Sequence, residues 1–235
     1  MSTIQAPTAQ EKRKFYDDGR VKEFKGNTFV CHLPQQGDKS EPFNVILDAY
    51  RVSRSFSFGN KITMLPPSCY HMTIFHGANN IDRRPGIWPA GISTDVTIEE
   101  CHNLLSKRLK ETNLSIDLPI RMKVDLESKK FTHKDAWKLK LIPVDEAEKS
   151  KVQNLRDRLS DCLGTKGLDH DSFEFHVTLG YINIPLSDEE NNEFYEVSEK
   201  LHQHVASRCP VIEFDAPEFC IFEDMFAMRR RLYLS

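Results

Sequence analysis

The sequence predicts an α+β fold in which one run of elements occurs twice. Short β-branched and aromatic runs alternate with amphipathic stretches that carry helix caps. The order helix, strand, loop, capped helix is centred once near residue 71 and again near residue 176. A chain of 235 residues that is 39% hydrophobic, with 15 Phe, also has the material for a packed core. Alternation of this kind is common in α+β chains without duplication, so the pattern by itself leaves both origins open.

The elements follow from local chemistry. The first dozen residues are polar and expected to form a loose arm. Gly26 to Pro34 has a β-branched and aromatic centre between Gly and Pro and predicts a strand. From Glu41 to about Ser53, Phe43, Ile46, Leu47 and Tyr50 recur at spacings of three and four, a helix stripe. Lys61–Leu65 and Tyr70–His76 predict two strands joined by a turn at Pro66 and Pro67. A loop rich in Arg, Pro and Gly follows. Thr97 and Glu100 then form a capping box ahead of the stripe Ile98, Cys101, Leu105 and Leu109.

In the second half, Trp137–Ile142 alternates apolar and basic residues and predicts a strand. A helix is expected from Asp145 to Leu163, with Val152, Leu155, Leu159 and Cys162 on one face and Gly164 as its stop. Phe173–Ile182 predicts a strand. Ser187 and Glu190 form a second capping box before Phe194, Val197, Leu201 and Val205. Val211 to Leu234 predicts one or two more strands around Pro217.

Composition narrows the function. No run approaches the ~18 uncharged apolar residues of a membrane span, and the start has no apolar core of a secretory signal. The expectation is a cytoplasmic protein with no membrane partner. Cys31, Cys69, Cys101, Cys162, Cys209 and Cys220 lie far apart with no Cys-x-x-Cys, and are expected to be reduced and mostly buried. A net charge of −3 argues against a broad grip on long duplex nucleic acid and leaves room for a small anionic ligand on a local basic patch.

One constellation carries chemistry. The two central strands contain His71-Met-Thr73-Ile and His176-Val-Thr178-Leu. Side chains i and i+2 of a strand share a face, so each strand presents an imidazole and a hydroxyl together. In the second strand Phe173, Phe175, Val177 and Leu179 are expected to face a core, and Glu174, His176, Thr178 and Gly180 the other way. Imidazole titrates near neutrality, so one copy can act as base while another acts as acid. Phosphoryl transfer needs a deprotonated attacking oxygen, a protonated leaving oxygen and donors on the non-bridging oxygens. Two histidines meet the first two needs and two threonines the third. A single His-x-Thr is what chance supplies, and a core histidine bonded to a threonine is its bland explanation. Two on matched strands are more specific.

The paired motifs, 105 positions apart, resemble the signature of the two-histidine (2H) phosphoesterase superfamily, which includes LigT-like RNA ligases and cyclic phosphodiesterases. Flanking words (Gly-Asn-Thr near residue 27, Gly77 after the first motif, Arg-Arg-Pro-Gly-x-Trp-Pro, and Phe-His-Val-Thr-Leu-Gly-Tyr) are similar to a little-characterised microbial branch. The resemblance covers about residues 26–225. It implies two α+β lobes related by a pseudo-twofold axis, each placing one motif strand in a shared cleft. Residues 1–25 would be a partly ordered arm and 26–235 a single bilobal domain. It implies His71 and His176 as acid and base, and Thr73 and Thr178 as phosphate-binding hydroxyls. The long loop after His71 departs from the pattern and bears on the cleft mouth.

Further substrate-binding candidates are Arg83, Arg84 and Trp88 in that loop, with Phe75 and Tyr181 on the motif strands. Guanidinium forks suit phosphate and indole suits a stacked base, although an ion pair with Asp82 and a plug under the loop explain the same residues. Phe75 shares the His71 face by alternation. Tyr181 has core-side parity unless a bulge re-aims it. Glu174 has the parity to orient His176. Arg229–Arg231 is expected to protect a sheet edge. His202 and His204 do not share a helix face and are no metal pair.

The reading is a metal-independent phosphodiesterase without cofactor, acting as a monomer on a nucleotide or short RNA end, with a 2′,3′-cyclic phosphate the favoured ester. The alternatives are a binding module without turnover and a histidine metal site. The second lacks a carboxylate or Cys at ligand spacing.

Overall fold

The computed structural model describes residues 7–234 except 10, 12, 128–134 and 168. The first strand, β1 (Gly26–His32), leads into α1 (Glu41–Val52), β2 (Ile62–Met64) and β3 (His71–Asn79). Then come α2 (Ile98–Lys110), β4 (Ile120–Val124), β5 (Ala136–Pro143), α3 (Glu146–Leu163) and β6 (His176–Ile182). The chain ends with α4 (Asp188–Arg208), β7 (Ile212–Phe214), β8 (Glu218–Phe222) and β9 (Arg229–Tyr233).

Every strand pair is antiparallel, in the order β7-β4-β5-β6-β3-β1-β8-β9, with β2 added to β6. The sheet divides into two four-stranded halves, β6-β5-β4-β7 and β3-β1-β8-β9, that meet at Met72 opposite Val177. This is the bilobal α+β arrangement, with each half contributing one motif strand to the seam. The α4 helix lies on β4, β5 and α1, and α3 lies on β3, β4, β5 and α2.

The caps do what their spacing requires. Thr97 and Ser187 each accept from the backbone N–H three residues on, and Glu100 and Glu190 reach back to the cap backbone. Asp145 caps α3, and Gly164 ends it at φ 64°, in the left-handed region that glycine tolerates. The core joins Trp137, Phe58 and Phe194 in edge-to-face contacts, and its largest members are fully buried.

Several expectations change in tertiary context. The buried side of α1 is Phe43, Val45, Ile46 and Ala49, while Tyr50 is 39% exposed, so the helix is turned from its predicted stripe. The two strands flanking Pro66 and Pro67 form as expected, and both pair with β6, β3 also with β1. A 3-10 turn at Pro67–Cys69 separates them. The strand expected from Phe173 begins only at His176, after a short 3-10 turn. The tail supplies three strands, and β4 is an addition. Past the first dozen residues the N-terminal segment packs, with Phe15 2% exposed against Tyr181 and Phe226. All six cysteines are free, and all but the half-buried Cys162 are buried. Among the described residues no helix is long and apolar enough to cross a membrane.

Candidate active site

The motif strands are neighbours at the seam. Antiparallel pairing through Met72 and Val177 sets Thr73 beside His176 and His71 beside Thr178. The two histidines are then diagonal neighbours, a placement that spans about 7–8 Å in a regular ladder. All four motif side chains line one cavity of about 250 Å³, with Met72, Ile74, Val177 and Leu179 buried on the opposite face. A larger cavity of about 630 Å³ along β5 is lined by none of the four.

Both imidazoles are held in the same way. His71 Nδ1 lies 2.6 Å from the Cys69 carbonyl and His176 Nδ1 lies 2.8 Å from the Glu174 carbonyl, two residues upstream in each case. A carbonyl only accepts, so each Nδ1 carries the hydrogen and the neutral ring keeps its lone pair on Nε2. Burial pushes the pKa of His71 down to about 4; the Cys69 carbonyl acts the other way, and the His32 and His76 rings add to the fall. His71 is thus neutral at pH 7 when the cleft is empty.

A bulge follows each motif. Val30 pairs with Thr73 and Phe29 with Phe75, which leaves Ile74 extra in β3. Lys138 pairs with Thr178 and Trp137 with Gly180, which leaves Leu179 extra in β6. Two consecutive residues therefore turn to the core, and the residue five after each histidine returns to the cavity. Those residues are His76 and Tyr181. This reverses the parity expected of Phe75, which is 4% exposed and packs on Phe29 and His170 instead of walling the cleft. Tyr181 does line the cavity, its hydroxyl directed at Met225 Sδ, 3.7 Å away.

The loop candidates are not brought to this cavity. Arg83 donates through Nη1 to the carbonyls of Thr94 and Val96, each at 2.6 Å, and stacks over Trp88. Arg84 forms a fork onto Asp82 at 2.8 and 2.6 Å. Trp88 is 4% exposed and donates to the Ile92 carbonyl. The loop satisfies its own cations and indole, so none of the three faces the histidines. Glu174 contributes its backbone carbonyl to His176, while its carboxylate lies 3.7 Å from Lys140 Nζ.

Residues that sequence reasoning missed share the lining. Lys14 arrives from the arm and Asn27 from β1, and nothing in the local pattern marks either as a cleft residue. Gly77 was a usable signal for Asn27: a Cβ there would stand 1.9 Å from Asn27 Oδ1. Among the described residues one group has metal-ligand chemistry, His32, Glu218 and Cys220, with ligating atoms within 4.8 Å of one another. Burial and the Glu218 carboxylate push the Cys220 thiol up, and Arg230 lies 3.8 Å from Glu218. That is the environment of a neutral thiol beside a charge pair, and a metal would need the thiolate.

A family profile named 2H-phosphodiest, described as a domain of unknown function (DUF1868), matches residues 14–133, just over half of the chain. The chain belongs to this 2H family. The matched stretch of the 2H protein carries His71 and Thr73, and the second motif lies beyond it. Membership places the 2H protein with the phosphodiesterases as a class. Among solved structures, a conserved protein of unknown function, ATU0111 from Agrobacterium tumefaciens str. C58, is 23% identical with a TM-score of 0.84, over 99% of this chain and 95% of that one. The likeness is one of fold. TT0787 of Thermus thermophilus is 14% identical with a TM-score of 0.45, over 88% and 97% of the two chains. LigT of E. coli is 14% identical with a TM-score of 0.43, over 90% and 94%. No curated protein matches the 2H protein.

Proposed function

We propose that this 2H protein is a metal-independent phosphodiesterase acting on a nucleotide or RNA end, with a 2′,3′-cyclic phosphate as the favoured ester. The observation that carries the reading is the matched pair of carbonyl-held imidazoles, each with a threonine hydroxyl two residues on. His71, neutral because it is desolvated, is the general base. Its Nε2 takes a proton from water as the water oxygen attacks phosphorus. His176 is the acid in its imidazolium form: with Nδ1–H held by the Glu174 carbonyl, its Nε2–H protonates the sugar oxygen as the P–O bond breaks and the ring becomes neutral. Thr73 and Thr178 donate to the non-bridging oxygens, where charge grows in the transition state. Acid and base are both protein groups, so the scheme requires no metal.

A binding module on the same fold needs donors to phosphate but gains nothing from two imidazoles each held by Nδ1 with Nε2 left for proton transfer. The experiment is a panel of cyclic and linear phosphodiesters assayed with excess chelator, with phosphorus NMR reading which ester bond breaks. Turnover of a cyclic phosphate under chelation is expected. Binding without turnover favours the module, and loss of activity restored by one metal ion overturns the scheme.

A further inference from the structure

The two bulges place chemically different groups at the two ends of the cleft. Because β3 and β6 run antiparallel from the Met72–Val177 bridge, His76 lies past His176 and Tyr181 lies past His71. At the Tyr181 end the neighbours are Met225 and Leu65, which offer apolar surface. At the His76 end they are Asn27 and Thr28, and Lys14 lines the same cavity with its amine over Phe24, close enough for its charge to act on His76.

Two observations favour an anion at the His76 end. Asn27 is 2% exposed; its Oδ1 accepts from the Ala78 N–H at 3.0 Å, while its buried Nδ2 has no acceptor among the described residues. An unused buried amide donor costs stability that a ligand acceptor would recover. Lys14 Nζ sits over the Phe24 ring, 2.6 Å from its centroid, and pairs with no carboxylate among the described residues. Burial pushes its amine down to about 7. Desolvation pushes the His76 pKa down; the Asp169 carboxylate acts the other way, and Arg156, Lys14 and Lys138 add to the fall. Arg156, 2% exposed, donates through Nη1 to the Ile74 carbonyl at the bulge, which holds His76 in its turned-out position.

We infer that Lys14, Asn27 and His76 form a second anion subsite, so that the substrate carries a phosphate group beyond the scissile ester. The inference rests on the phosphodiesterase reading for the scissile site. Substrate then lies with its anionic arm toward His76 and its flat, apolar arm toward Tyr181 and Met225.

The test compares a nucleoside 2′,3′-cyclic phosphate with the same compound bearing a 5′-phosphate. Efficiency is expected to be about tenfold higher for the phosphorylated compound, mostly through KM, as one charge-assisted contact supplies. In Lys14→Met and His76→Gln the ratio should fall toward one. A ratio near one in the wild type, or one unchanged in both variants, overturns the subsite. If neither compound is turned over, the phosphodiesterase reading fails and calorimetry still decides the subsite. A nucleoside 3′,5′-bisphosphate should then bind about tenfold tighter than the 3′-monophosphate, with the difference lost in both variants. Equal affinities overturn it.

Discussion

His71 and His176 make the same hydrogen bond in the two halves of the sheet: each Nδ1 donates to the carbonyl two residues before it, at 2.6 and 2.8 Å. The bond fixes the tautomer and turns both Nε2 atoms to the work of proton transfer. Neither ring is needed to complete the core, since both are only half-buried.

Removing either ring should therefore cost catalysis rather than stability. His71→Ala and His176→Ala are each expected to lower turnover by at least about a hundredfold. Melting temperature should change little. Near-wild-type kinetics in either variant would remove that residue from the acid–base pair.

The threonines should show smaller effects. Thr73→Val and Thr178→Val are expected to lose about ten- to a thousandfold, mainly in kcat, because a donor counts most where charge develops. Steady-state kinetics with unchanged kcat in both would assign the hydroxyls to structure alone.

The depressed pKa of His71 sets two pH dependences. As a base it must be neutral, so the acid limb of kcat/KM should fall near pH 4 in the free enzyme. In the complex the bound anion favours imidazolium, and the limb of kcat should move upward. Stability has the same sign. The unfolded chain, with histidine near its ordinary 6.5, binds the proton more readily than the fold does. Stability from this group is present above about 6.5 and is lost as pH falls toward 4. Denaturation across that range should show the loss, and His71→Gln should reduce it.

Gly77→Ala tests the packing behind the cleft. The new Cβ would stand 1.9 Å from Asn27 Oδ1 and 2.7 Å from the Asn27 carbonyl oxygen, so the buried amide must move. A stability loss of about 1–3 kcal/mol by chemical denaturation is expected. A wild-type midpoint would show that β1 yields without strain.

Arg84→Ala should leave KM within about twofold, because the guanidinium is spent on Asp82 and faces away from the histidines. A large rise in KM would return the loop to the substrate site.

Sequence alone determined what depends on neighbours along the chain. The shared face of His71 with Thr73, and of His176 with Thr178, follows from the period of a strand. The starts of α2 and α4 follow from a hydroxyl and a carboxylate three residues apart. Only the tertiary structure decided which residues meet beyond those short ranges. The extra residue in each motif strand is created by pairing with β1 and β5, so the exchange of Phe75 for His76 and the return of Tyr181 could not be read from alternation. Whether a cation faces a ligand depends on which acceptor is nearest in space. Arg83 and Arg84 find theirs within their own loop, whereas the folded-back arm leaves Lys14 in the cleft beside Phe24.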